Sequence, residues 1–335
     1  MSELGPPLFL PSRKSGIALR EILNRDFALS FEHMFSACGE HFEIPERQAK
    51  ALLSRTRAGS RETPFMFSLH FKLVEAIQDG RLDDVQPLIR QILTLGPAEP
   101  GILLTSFIPE EFPWDCETIA GYFSAEQDSL FRYVAPRPDG LPSRRDQIRA
   151  ALDLIRRAAS GLAAELEEIV TTIILARDVS IEDGSDPDAR FQGASALRAF
   201  GAVLQNCELD FSVVDCATSL IHEGAHSVLF ALSPIEGVAV NADDERHSSP
   251  LREDERPLEG IIHATFVLAR IVYGMEAMLD SGQLSAAEQH LAAETAQNHR
   301  KLFFEGLDTT RRHGRLTDQG EAALEAAEAY MAAFA

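Results

Sequence analysis

The residues with the clearest chemical potential are His222, Glu223 and His226, which form a His-Glu-x-x-His motif in an apolar stretch. Because apolar residues flank the motif, a helix is expected across it. Residues four positions apart share one face of a helix, so the two imidazoles can bind one metal ion. Glu223 follows the first ligand and can reach the open side of the metal as a catalytic group. The motif therefore predicts a metal-dependent enzyme.

Two imidazoles do not complete a metal site, so a third ligand is expected from the next predicted helix. Pro257 opens that helix, since proline is favoured in the first helical turn. Within it, Glu259 and His263 are four residues apart and share a face. His263 would complete a set of three imidazoles and is the preferred third ligand. Glu259 is the alternative, and it would give the pattern of many zinc peptidases.

Two arginines, Arg252 and Arg256, lie in the polar connection just before this second helix. A guanidinium fork is well suited to the carboxylate of an anionic co-substrate, so both are candidate cofactor-binding residues. The alternative interpretation is that they pair with the acidic residues 253–255 of the same connection.

Together, these residues form a sequence pattern that resembles that of one protein family. The pattern is His222-Glu223-x-x-His226, a polar connection, Pro250-x-Arg252-x-Asp254-x-Arg256-Pro257-Leu258-x-Gly260, and then His263. It is similar to the HExxH-motif peptide-modification proteins of ribosomal peptide natural-product pathways, and the likeness covers roughly residues 170–275. The chain departs from the family pattern in two respects. Leu251 replaces an expected aromatic residue, and Gly224-Ala225 replaces a bulkier, more polar filling of the motif.

The resemblance implies an iron(II)- and 2-oxoglutarate-dependent oxygenase that hydroxylates the β-carbon of a residue in a precursor peptide. It implies that His222, His226 and His263 hold the iron. Arg252 or Arg256 would bind 2-oxoglutarate, and Glu223 would orient a ligand. One alternative is a zinc metallopeptidase in which Glu223 is the general base for zinc-bound water and the strand at 202–204 binds substrate as an added strand. A non-catalytic peptide-binding protein is the other alternative.

Composition limits the classes of partner. The net charge of −21 argues against nucleic acid or an anionic membrane as the main partner. The first residues lack the basic and apolar regions of a signal peptide, and the most apolar long segment carries charged residues. The four cysteines form no Cys-x-x-Cys pair and are interpreted as reduced thiols. A cytoplasmic protein with a peptide partner is therefore expected.

The alternation of helical and β-branched segments predicts a mainly helical α+β protein. Helices are expected at 15–56 and 147–169, strands near 169–175 and 200–204, and irregular structure at 109–145. The acidic stretch 182–188 is expected to be a solvated loop. By analogy, we expect a metalloprotease-like core in which a small sheet lies over the two metal-bearing helices. We expect a helical N-terminal region, with possible peptide binding, at 1–165 and the catalytic region at 166–335.

Overall fold

The computed structural model describes residues 10–126, 131–179, 191–251 and 254–334. Within them the protein is α+β and mainly helical, which confirms the predicted class at that level. The helices are α1 (Arg13–Cys38), α2 (Glu46–Arg57), α3 (Pro64–Gln78), α4 (Leu82–Thr94), α5 (Cys116–Glu126), α6 (Leu141–Ala158), α7 (Ser160–Ile169), α8 (Val213–Leu232), α9 (Leu258–Asp280), α10 (Ala286–His313) and α11 (Asp318–Met331). The strands are β1 (Leu103–Ser106), β2 (Tyr133–Val134), β3 (Thr172–Asp178), β4 (Gly193–Ser195), β5 (Ala202–Asn206), β6 (Arg246–His247) and β7 (Arg256–Pro257).

Packing divides the chain into two compact units. The sheet unit comprises Ile17–Arg144 and Glu167–Leu209. The motif unit comprises the described part of Met1–Gly16 together with Arg145–Leu166 and Asp210–Ala335. The predicted division into an N-terminal and a catalytic region is a functional one that this packing does not test, so it stays a prediction.

The sheet unit is built on strands in the order β1-β3-β5-β4, with β2 paired to β3. Strands β1, β3 and β5 run parallel, whereas β4 is antiparallel to β5. The run Ile173-Ile174-Leu175 of β3 is fully buried, as expected of a parallel strand covered on both faces. Strand β5 is paired along both of its edges. The peptidase alternative predicts that a substrate strand would pair with residues 202–204. That prediction is wrong, because β3 and β4 already occupy the two edges of β5.

The motif unit is an assembly of helices around α9. Helix α8 begins at a capping box, in which Ser212 and Asp215 satisfy each other's backbone amides. Helix α9 packs against α8, α10 and α11. A Cβ on Gly274 of α9 would lie 2.5 Å from the side chain of Ile221 of α8. The missing side chain therefore lets the two helices that carry the candidate metal ligands approach closely.

Three predicted segments differ from the structure. Residues 15–56 form two helices, α1 and α2, with a break before Pro45. The segment 109–145 is not irregular throughout, since it contains α5 and the start of α6. Residues 147–169 form α6 and α7, where Gly161 lies so close to the Pro11 carbonyl that a Cβ would be 2.5 Å from its oxygen. That long-range contact favours glycine at 161, a constraint that helical periodicity does not predict. The acidic stretch 182–188 lies outside the described residues.

Helix α9 has the length and hydropathy of a membrane span, but 83% of its most apolar window is buried inside the protein. Burial of this kind is typical of a core helix.

Candidate metal centre

Helix α8 places the His-Glu-x-x-His motif as its spacing predicts. The Nε2 atoms of His222 and His226 lie 3.1 Å apart. Metal–nitrogen bonds of about 2.0–2.1 Å put neighbouring ligand nitrogens roughly 3 Å apart, so the pair fits a first-row divalent ion. Glu223 is buried, and its Oε1 lies 3.9 Å from His222 Nε2. Among the described residues, these three side chains form the one group whose candidate ligand atoms all lie within 4.8 Å of one another.

The motif is held in a largely apolar setting. Helix α8 buries most of its residues, including those on either side of His222. Gly224 faces Leu166 of α7, and a Cβ at Gly224 would lie 2.7 Å from the Leu166 Cδ1 atom. Gly224 thus makes room for a packing contact between α7 and α8.

Burial controls the charge state of His226. Its pKa lies well below the ordinary value because burial disfavours the imidazolium, and the nearby His222 and His263 act in the same direction. His226 is therefore a neutral imidazole at neutral pH, the form that binds a metal.

His263 on α9 lies next to His226 but contacts its other nitrogen. His263 Nδ1 is 3.2 Å from His226 Nδ1, and the two rings are nearly parallel at 5.5 Å. Phe230 packs against both rings. His263 is not a member of the group formed by His222, Glu223 and His226. Its predicted role as third ligand stays a prediction.

The carboxylate of Glu259 is held by backbone amides. Its carboxylate accepts hydrogen bonds from the amides of Val238, at 3.0 Å, and Ala239, at 2.8 Å. His263 Nε2 lies 3.4 Å from Glu259 Oε1. Burial raises the pKa of Glu259, but the hydrogen bonds from His263 and the two amides outweigh that effect, and the pKa is lowered. The side chain is therefore an ionised acceptor for the amides of Val238 and Ala239 and for His263.

Of the two arginines predicted to bind a co-substrate, the structure describes Arg256. Arg256 lies in β7, immediately before α9, and its Nε is 2.9 Å from Asp254 Oδ2. The ion pair predicted as the alternative is thus present, and an incoming carboxylate would have to replace Asp254. Arg252 lies outside the described residues.

The segment 237–239 contributes to this centre by binding Glu259, and its sequence carries one signal of that role. Gly237 has a φ of +69°, and a Cβ there would lie 2.9 Å from Glu259 Oε1. The isolated glycine is the one available signal, since positive φ and close approach both favour glycine. Backbone amides that bind a distant carboxylate have no signature in the sequence.

No protein-family model matches this chain, and no curated protein matches it in sequence.

Proposed function

We propose that the protein is an iron(II)- and 2-oxoglutarate-dependent oxygenase that hydroxylates a residue of a ribosomally made precursor peptide. His222 and His226 would hold the metal. When bound, the iron and 2-oxoglutarate together would supply the activation of dioxygen for insertion of one oxygen atom into a C–H bond.

The observation that carries this choice is the position of Glu259. In the zinc peptidases whose pattern Glu259 would match, a glutamate on the second helix is a metal ligand. Here that glutamate accepts hydrogen bonds from Val238 and Ala239, and an imidazole, His263, lies between it and His226. The imidazoles on and near α8 can bind iron as well as zinc. Glu259, the metal ligand that the peptidase would need, binds backbone amides instead.

The protein's own side chains would have separate roles in the reaction. His222 and His226 bind the ion through the Nε2 atoms that lie together on α8. Glu223, 3.9 Å from His222 Nε2, orients groups bound on that side. Arg256 would exchange its partner Asp254 for the distal carboxylate of 2-oxoglutarate. The metalloprotease-like arrangement of a sheet over the two helices remains part of this proposal.

A zinc metallopeptidase is the second candidate, and the position of Glu223 favours it. The carboxylate is close enough to the two Nε2 atoms to take a proton from a zinc-bound water. In that case Glu223→Gln would abolish cleavage of a peptide substrate, and 2-oxoglutarate would have no effect.

The test is succinate formation by protein purified without oxygen, loaded with iron(II), and supplied with 2-oxoglutarate, oxygen and candidate peptides from neighbouring genes. We expect peptide-stimulated succinate, which His222→Ala abolishes. Arg256→Ala should raise the KM for 2-oxoglutarate by about 10-fold or more, because one charge-assisted pair is lost. Arg246→Ala, on the paired strand β6, is the matched control. Tightly held zinc, peptide cleavage and no succinate would support the peptidase instead.

A further inference from the structure

We propose that Glu259 and His263 are positioning residues that determine which nitrogen His226 presents to the metal. In this proposal His263 affects the metal by orienting His226, and it is not the third ligand that the sequence predicts. The proposal rests on the proposed function only in taking His222 and His226 as the residues that hold the ion.

The hydrogen-bond chain starts at Glu259. Two backbone amides, from Val238 and Ala239, donate to its carboxylate, so the carboxylate acts as an acceptor. His263 Nε2 lies 3.4 Å from the same carboxylate, and a favourable contact requires the hydrogen to be on that nitrogen. In the neutral form of His263 the one N–H is then on Nε2, so Nδ1 is left with its lone pair.

The contact between His263 and His226 then determines the tautomer of His226 on α8. His263 Nδ1 and His226 Nδ1 are 3.2 Å apart, and two facing nitrogens form a hydrogen bond only if one of them donates. Since His263 Nδ1 is the acceptor, His226 Nδ1 is the donor. The lone pair of His226 is then on Nε2, the atom 3.1 Å from His222 Nε2. The chain of contacts therefore selects the tautomer of His226 that can bind a metal together with His222.

The start of this chain is itself held in place. The segment 237–240 is paired with the segment before α11: Val240 N donates to the Arg315 carbonyl at 2.8 Å, and Thr317 N donates to the Val238 carbonyl at 3.1 Å. Helix α11 approaches so closely that a Cβ on Gly320 would lie 2.1 Å from the Val238 carbonyl oxygen. Glu259 thus accepts its hydrogen bonds from a supported segment, which is what an orienting residue requires.

The experiment uses the full chain with Glu259→Gln and His263→Gln, and with Glu236→Gln as the matched control. Glu236 is an exposed carboxylate on the same connection. The side-chain amide introduced by Glu259→Gln offers both a donor and an acceptor, so it no longer fixes the His263 tautomer. His263→Gln interrupts the chain without removing the carboxylate that holds segment 237–239, and it keeps the test decisive if Glu259→Gln fails to fold.

Two measurements are needed. The first is affinity for Co(II) alone, with the visible spectrum of the bound ion as a report on its ligands. The second is the imidazole ¹⁵N spectrum of histidine-labelled, metal-free protein, which distinguishes the two tautomers of His226. We expect Glu259→Gln and His263→Gln each to weaken Co(II) binding about 10- to 100-fold, with an unchanged visible spectrum. We also expect the metal-free variants to lose the single Nδ1–H tautomer of His226, whereas Glu236→Gln matches the wild type.

Two results would overturn the proposal. Binding within twofold of wild type, with an unchanged His226 tautomer, would show that the chain of contacts positions nothing. A changed visible spectrum, with loss of binding as complete as in His222→Ala, would make the substituted residue a direct ligand. Neither measurement involves turnover, so a failure of the hydroxylase proposal would appear separately, as absence of succinate.

Discussion

The buried ion pair between Glu165 of α7 and Arg270 of α9 supports the most quantitative prediction of stability. Both side chains are almost fully buried, at 1% and 3% exposure, and Ser15 donates a further hydrogen bond to Glu165 at 2.7 Å. Arg270 lies on the helix that carries His263 and Glu259. Removing one partner leaves an uncompensated buried charge, which is destabilising by about 3–5 kcal/mol.

We expect Glu165→Ala and Arg270→Ala each to lower the free energy of unfolding of the motif unit by that amount. The double variant Glu165→Leu with Arg270→Met replaces the pair with apolar groups. It should recover at least about 2 kcal/mol relative to the sum of the two single losses. The control is Arg156→Ala, which breaks an exposed pair with Asp153 and should change stability by less than about 1 kcal/mol.

The assay is urea denaturation followed by far-ultraviolet circular dichroism, which reports on all helices. The single tryptophan, Trp114, lies in the sheet unit, so its fluorescence gives a separate reading of that unit. A loss of less than about 1 kcal/mol in either single variant, or a double variant as unstable as the sum of the two, would show that the pair does not have this buried, coupled character.

Two further predictions concern the sheet unit and the segment that supports Glu259. Burial lowers the pKa of His70 from 6.5 to about 4, so its unfolded form binds a proton first as the pH falls. The stability that His70 contributes is therefore present above pH 6.5 and lost towards pH 4. Between pH 7 and pH 5, the wild type should lose about 2 kcal/mol more than His70→Gln in urea denaturation followed by Trp114 fluorescence. Equal losses would refute this, and His41→Gln, an exposed site, is the control. Gly237→Ala should be destabilising by about 1–2 kcal/mol through its positive φ and should also weaken Co(II) binding by displacing Glu259. Gly282→Ala has a similar φ of +64° but no neighbour within 4 Å, so it should show the first effect without the second.

The sequence predicts the parts of this centre that depend on local spacing. His222 and His226 come together because four residues make about one helical turn, and the apolar flanks that predict α8 are the residues that bury it. Pro257 stands at the N-terminal cap of α9, as proline's preference for helix starts suggests. The β-branched run at 172–175 becomes a buried strand for an equally local reason.

What the sequence does not predict depends on long-range contacts. The orientation of Glu259 follows from amides about 20 residues earlier in the chain, and those amides are held in turn by the segment 315–317. The position of β5 inside the sheet depends on which strands pair with it, whereas its own residues indicate only that it is buried. In the same way, His263 shares a helix face with Glu259 as predicted, but which nitrogen of His226 it meets is a matter of tertiary packing.

Hydroxylation can be measured as the mass of a candidate precursor peptide after reaction under ¹⁸O₂ with the iron(II)-loaded protein and 2-oxoglutarate. A hydroxylase would give a peptide that gains one oxygen atom carrying the ¹⁸O label, on a β-carbon, with one succinate formed for each hydroxylation. A peptide that is cleaved with incorporation of oxygen from water, or one that stays unchanged while the protein retains zinc, would contradict the hydroxylase proposal.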